Sequence, residues 1–375
     1  MLAVIACVLA HCVGLGEAVP CAPNPSNQSS AVAIEEDPFW LPPEMVSFAE
    51  KKVSAAINSN DRAEKLLQAL MLPEDQGGLG ITFASDRTRT INEVWKDRKA
   101  NCLSLTISYV MLAEKFKIRA AFAESADVMG WSRVGGFVLK SRHVVAVVMG
   151  KPNEELVADF LPRTLPRFGN YFVNIISTKH GKSQYYSNCS VEALLAGNVG
   201  AGKALIEKAL EVDPASSQAW NIKGVIEKYL KNTDAAFQAF RRAIRLNPKD
   251  AAAIGNLAGL YRAEGQFEEY TKLKAVENRL RKNDPYYFAF LSVEALENDK
   301  AKTAAKLINK AIKLQPKDPD FFIILCSAFE LQNKIPEALK VLEKAKELSL
   351  PDRQVIMDAI IEDFKIRHGL SKVDG

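Results

Sequence analysis

"SQAWNIKGVIEKYLKNTDAAFQAFRRAIRLNPKD" (Ser217 to Asp250) decides how the second half of this chain is read. Trp220, Gly224, Ala236, Phe240 and Ala243 recur at helical spacings, and Pro248 closes the stretch. Outward from it, prolines return at Pro214, Pro248, Pro285, Pro316 and Pro351. The first gap is 34 and the last 35, while the middle gaps of 37 and 31 sum to twice 34. One proline has drifted and the frame is kept. Alanines mark the same frame at Ala209, Ala243, Ala311 and Ala345, with Glu277 at the missing step. A fixed period of this length means stacked helical units, each burying its apolar face only against its neighbours.

The period and the residues that carry it resemble the tetratricopeptide repeat. Leu257 and Tyr261 are in phase in the next unit, Ala304, Ala311 and Pro316 in the third, and Ala338 and Ala345 in the fourth. A degenerate unit from about Gln184 to Asp213 keeps Ala209. The resemblance implies an all-α solenoid over 184–350, closed over 351–375 by an amphipathic capping helix and tail, "LPDRQVIMDAIIEDFKIRHGL". It also implies a concave groove for a protein or peptide partner. The first-helix positions on that side carry Gln218, Asn221, Val225, Ala252, Gly255, Asp320 and Ile323. The recurring Lys/Asn set of chaperone-tail binders is absent there, so that ligand class is not expected. "GNVGAGKA" (Gly197 to Ala204) nearly spells a phosphate-binding loop, but Ala204 stands where a magnesium-ligating hydroxyl belongs. Its glycines are read as a turn between helices, and no nucleotide is expected.

In the first half, "KDRKANCLSLTISYVMLAEKF" (Lys96 to Phe116) passes from a basic segment into a helix apolar nearly all round, the mark of a buried central helix. Cys102 opens it, facing unpaired N–H groups and the positive end of the helix dipole, both of which favour thiolate. Arg98 and Lys99 push the same way. "HVVAVVMG" reads as a buried strand opened by His143, and "EELVADF" as a second strand with Asp159 near its end. A short connection makes the two a hairpin that brings His143 beside Asp159.

That order, with "NCLSL", "HVVAVV" and "VADF", resembles the transglutaminase-like superfamily of papain-type cysteine enzymes over about Phe39 to Ser177. "TRTINEVWKDRKANCLSLT" (Thr88 to Thr106) is similar to bacterial members that carry tetratricopeptide repeats. The resemblance implies an α+β transglutaminase-like domain, a central helix packed on an antiparallel sheet, over 39–183. It implies Cys102 as nucleophile, His143 as general base and then acid, and Asp159 as its orienter. Trp95 or Trp131 would lend an indole N–H to the oxyanion, beside the Cys102 N–H. The activity implied is cysteine-dependent amide hydrolysis or acyl transfer on a protein or peptide. The alternative is a non-catalytic scaffold whose repeats are the functional surface.

Composition bounds the rest. The chain has 375 residues, 48% hydrophobic and 25% charged, with a net charge of +4 spread over both signs. That balance excludes a dedicated nucleic-acid binder. "MLAVIACVLAHCVGLG" is too short to span a bilayer and reads as a signal-peptide core over 1–22, with a linker over 23–38. The expectation is export to the periplasm or envelope, with a lipid tether at the N-terminus as an option. The first basic residue is Lys51, so the usual positive start is missing. Cys102, Cys189 and Cys326 are far apart and form no disulfide framework. No second Cys or His stands at ligand spacing, and neither metal nor cofactor is expected.

Overall fold

The computed structural model describes residues 37–134, 137–149, 156–158, 173–349 and 351–370. They fall into two compact units, one running to Glu277 apart from a short stretch of one strand, the other from Asn278 onward. No helix among the described residues is long and apolar enough to cross a membrane.

The first unit opens with α1 (Pro43–Val53) and α2 (Ser59–Met71). A two-stranded parallel ribbon follows, β1 (Thr82–Phe83) with β2 (Lys99–Ala100), and α3 (Ile91–Asp97) lies between its strands in sequence. Thr90 and Glu93 form a reciprocal capping box that starts α3. The long helix α4 (Cys102–Lys115) begins at the Asn101 cap, whose side chain accepts from the Ser104 N–H at 2.8 Å. Every residue from Leu103 to Ala113 is buried. The hydroxyls of Ser104, Thr106 and Ser108 are tolerated inside because each bonds a backbone carbonyl, at 2.9–3.2 Å.

Strands β3 (Ala120–Val134), β4 (Phe137–Val148), β5 (Leu156–Ala158) and β6 (Val173–Ile176) form one sheet in the order β5-β4-β3-β6. β4 runs antiparallel to β5 with Ala146 opposite Ala158, and β3 antiparallel to β6 with Phe122 opposite Ile176. The β4 strand starts well before His143, at Phe137, and β3 is a strand that no alternation in the sequence announces.

Helix pairs then repeat: α5 (Thr178–Leu195) with α6 (Val199–Val212), α7 (Ser217–Tyr229) with α8 (Thr233–Leu246), and α9 (Ala251–Ala263) with α10 (Phe267–Arg281). The second unit holds α11 (Pro285–Glu297) with α12 (Ala301–Leu314), α13 (Pro319–Glu330) with α14 (Ile335–Leu348), and the terminal α15 (Pro351–Arg367). Second helices begin at Val199, Thr233, Phe267, Ala301 and Ile335, a constant step that equals the first proline gap. The residues that turn the chain between paired helices hold the same frame in the left-handed region: Gly197 (φ 79°), Lys231 (63°), Gly265 (74°), Asp299 (56°) and Asn333 (57°). The drifted proline has a structural reason. Pro285 is the first residue of α11, where its missing N–H costs nothing, whereas Pro214, Pro248 and Pro316 lie in the turn before a helix.

Two readings need correcting. The boundary expected at 183–184 falls inside α5, which serves both halves of the first unit: Gly181 lies against Phe122 of β3 and Tyr185 against Phe39, while the same helix pairs with α6. The closing helix α15 is not simply amphipathic. Met357, Ile361 and Phe364 face inward, yet Val355, Ile356 and Ile366 are exposed on other sides. Its apolar residues outnumber the one stripe that the last repeat can cover.

Candidate functional site

Cys102 is the first residue of α4 and is half-buried, whereas Cys189 and Cys326 are buried. A polar strap fixes the backbone around this helix start. Asn101 Nδ2 donates to Thr88 Oγ1 at 3.0 Å, and Thr88 in turn donates through its N–H and hydroxyl to Glu192 Oε1 at 2.8 and 2.7 Å. Arg89 N–H donates to Ser104 Oγ at 2.8 Å, and the Arg89 guanidinium holds Asp86 bidentately and Asp97 at 3.0 Å. Burial raises the Glu192 pKa, and the Thr88 hydrogen bonds oppose that shift. Burial pushes the Cys189 and Cys326 thiols up to about 12 each, which leaves Cys102 as the accessible sulfur among the three.

Arg98 does not extend over Cys102 as a free charge. Its guanidinium stacks on the Trp95 ring, 4.0 Å from the centroid, and bonds the Trp95 carbonyl. Trp95 also meets Phe48 at 6.4 Å, so its ring belongs to the packing of α3 against α1. The Trp131 side chain and Asp159 lie outside the described residues.

His143 is buried on β4. The strand backbone beside it reaches the cysteine helix, because Thr106, one turn after Cys102, donates to the Val144 carbonyl at 3.2 Å. The side chains alternate, however. Val144, Ala146 and Val148 enter the core that includes α4, and Val145 and Val147 join Ala123 in a separate cluster. That alternation carries His143 with Val145 and Val147, to the sheet face opposite α4. The structure thus brings the second turn of α4 and the β4 backbone together.

A different histidine is held between carboxylates. His180, in the first turn of α5, has Nδ1 2.7 Å from Asp213 Oδ2 and Nε2 3.7 Å from Glu124 Oε1. Glu124 also accepts from Gln184. Glu124 and Asp213 raise the His180 pKa against the opposing effect of burial. This cluster ties β3 to α5 and to the end of α6. Its members come from three separate elements, so no local pattern announces it. A raised folded-state pKa stabilises the charged form. The contribution is fully present below the unfolded imidazole pKa of about 6.5 and is lost as pH rises through the folded value. Urea midpoints should therefore fall as the pH rises above about 6.5, and His180→Gln should flatten that fall. An unchanged slope in the variant would show that other groups set it.

On the first-helix faces expected to line a groove, Asn221, Val225 and Ala252 are buried in the first unit, and Ile323 is buried in the second. α9 packs against β4 as well as against α7 and α8. Asn256 Nδ2 donates to Asn221 Oδ1 at 3.0 Å, a buried bond between consecutive first helices. α9 thus meets the protein's own sheet as well as the neighbouring helices. In the former phosphate-loop look-alike, Gly197 turns the chain from α5 to α6 and Gly202 lies against Leu194.

A tetratricopeptide repeat family model matches residues 192–251. The C-terminal region is a helical solenoid like that of tetratricopeptide repeats. Among curated proteins, the chain is 24% identical over 151 residues to the type IV pilus assembly protein PilF of Pseudomonas aeruginosa, covering 39% of this chain and 60% of that protein. It is 36% identical over 70 residues to a TPR repeat-containing protein of Methanocaldococcus jannaschii, covering 18% of this chain and 12% of the relative. It is 26% identical over 161 residues to peroxisome biogenesis protein 5 of Arabidopsis thaliana, covering 43% and 20%. The chain therefore spans less than two thirds of each of these relatives. Among solved structures, a thermophilic TPR protein of Thermus thermophilus aligns with a TM-score of 0.31 at 15% identity, over 49% of this chain and 99% of that one. The P. aeruginosa pilF structure aligns with a TM-score of 0.30 at 18% identity, over 51% and 88%. None of these likenesses carries the transglutaminase-like expectation for residues 39–183.

Proposed function

We propose that this chain is a protein-interaction scaffold: a tetratricopeptide array whose first pairs are keyed to its own α+β half and whose other faces receive a partner. The observation that carries this reading is the unbroken, even spacing of second helices, kept even where the sequence pattern decays. Such arrays present extended surfaces built from many small contacts rather than one pocket. The burial of Asn221, Val225 and Ala252 favours partner contact away from the inner side of the first pairs.

A second reading keeps Cys102, His143 and Asp159 as a transglutaminase-like triad in an exported enzyme. It is favoured by an accessible thiol at the first turn of a buried helix. In that mechanism the Cys102 thiol passes its proton to His143 as its sulfur attacks an amide carbonyl, His143 gives that proton to the departing amine, and water or a second amine opens the thioester. The parity of β4 counts against His143 as its base.

One experiment separates the two. Photo-crosslinkers placed at Asp320 and Arg62 of the full chain should capture a discrete partner from the repeat position and not from α2. Cys102→Ala should leave that capture unchanged. In the same samples Cys102 should alkylate at an ordinary thiol rate, and His143→Ala should not slow it. Rapid, His143-dependent alkylation below neutral pH would favour the enzyme. Absence of any discrete adduct from the repeats would sink the scaffold.

A further inference from the structure

The second helices of the repeats differ in charge. α6 carries Glu207 and Glu211, α8 carries Asp234, α10 carries Glu268, Glu269 and Glu277, and α14 carries Glu337, Glu343 and Glu347. α12 carries no acidic residue, and none occurs from Lys300 to Lys317. Within that span Lys302, Lys306, Lys310 and Lys313 follow one another at steps of four, four and three, which places them along one side of α12, and Lys317 follows in the turn after the helix. All five are exposed, while Ala301, Ala304, Ile308 and Ala311 of the same helix are buried. The row from Lys302 to Lys313 is about 16 Å long at the helical rise.

Elsewhere in the array, lysines at this spacing are balanced by acids. Lys272 pairs with Glu268 at 2.5 Å on α10, and Lys344 with Glu347 at 2.7 Å on α14. On α12 like charges stand at i,i+4, which opposes helix formation. Among the described residues none of the five makes an ion pair, and Lys310 rests over the Phe288 ring at 5.3 Å. A surface of this kind lowers its own free energy when an external anion replaces the missing carboxylates.

We infer that the lysine face of α12 is a peripheral docking surface for an anionic lipid bilayer. Three observations select lipid headgroups over other anions. The cations are all lysines, mobile point charges that suit diffuse headgroup charge, with no arginine fork for bidentate recognition. Lysine is depleted at the centres of protein interfaces, where aromatic and arginine anchors carry affinity. No aromatic side chain is interleaved in the row to stack on bases. Exposed Leu314 at the end of the helix is placed to enter the headgroup layer. This site is separate from the scaffold reading and does not depend on it.

The test is partition of the full chain onto phosphatidylcholine vesicles with and without about one third phosphatidylserine. Each lysine near such a surface contributes about fivefold in partition, so the five together give roughly a three-thousandfold preference for the anionic vesicles. The Lys→Gln variant at all five positions should lose that preference, and the Lys→Arg variant should keep it. The Gln variant should melt close to wild type, because relief of like-charge repulsion along α12 offsets the loss of the Lys310–Phe288 contact on an exposed face. High salt should abolish the preference in wild type. The neutral vesicles report any contribution of the apolar N-terminus, which the Gln changes do not touch. Equal partition onto both vesicles, or a Gln variant that behaves as wild type, overturns the inference. So does displacement from anionic vesicles by duplex DNA or a polyglutamate peptide at equal charge.

Discussion

Phe122→Ala is expected to cost the first unit about 3–5 kcal/mol. Phe122 is fully buried on β3, in register with Ile176 of β6. Its ring fills the space left by Gly181 of α5, where an added Cβ would lie 2.7 Å from Cδ1 and 2.8 Å from Cγ. The aromatic side chain thus holds the sheet to the first repeat helix at a point with no room to spare. Removing it leaves a cavity between a strand and a helix that cannot both collapse inward, because Gly181 has no side chain to follow. The urea midpoint should fall sharply, and Phe122→Leu should recover most of it, at a cost below about 1.5 kcal/mol. A Phe122→Ala midpoint within experimental error of wild type would show that this contact does not hold the sheet to α5.

Gly224→Ala is expected to destabilise the repeats by about 1–3 kcal/mol, although alanine is the better helix former by about 1 kcal/mol. Gly224 sits in α7 opposite the buried Phe240 of α8. A Cβ there would lie 2.5 Å from Cε1 and 2.6 Å from Cδ1 of that ring, far inside van der Waals contact. The ring cannot retreat, since Phe240 packs among Val225, Leu257 and Leu260. The helix gain is therefore outweighed by overpacking. Phe240→Leu in the same chain should relieve part of the clash, so the two changes should couple favourably in a double-mutant cycle. Strict additivity would indicate that α7 shifts to admit the methyl group.

Both predictions rest on a glycine facing an aromatic ring, and the two differ in how visible they were. Gly224 and Phe240 stand at positions of the repeat pattern, within one unit. Gly181 and Phe122 share no frame and meet only because β3 and α5 are neighbours in space. The same divide runs through the candidate site. That Cys102 begins a helix buried on nearly every side follows from the apolar run after it and from Asn101 as cap. That His143 opens no strand but sits midway along one, with the parity of Val145, depends on register, and a one-residue register difference exchanges the faces of a strand.

The helix pairs and their frame were legible in residue pattern, because each repeat must bury the same small and bulky positions against its neighbour. So were the central helix α4 and the hairpin of β4 with β5, both local runs of apolar residues. Folding in three dimensions settled the rest: α5 belongs to sheet and repeats alike, and β4 packs against α9. It also placed His180 between Glu124 and Asp213. Those outcomes depend on contacts between distant segments, and periodicity within a segment carries no information about which surface will come to lie across from it.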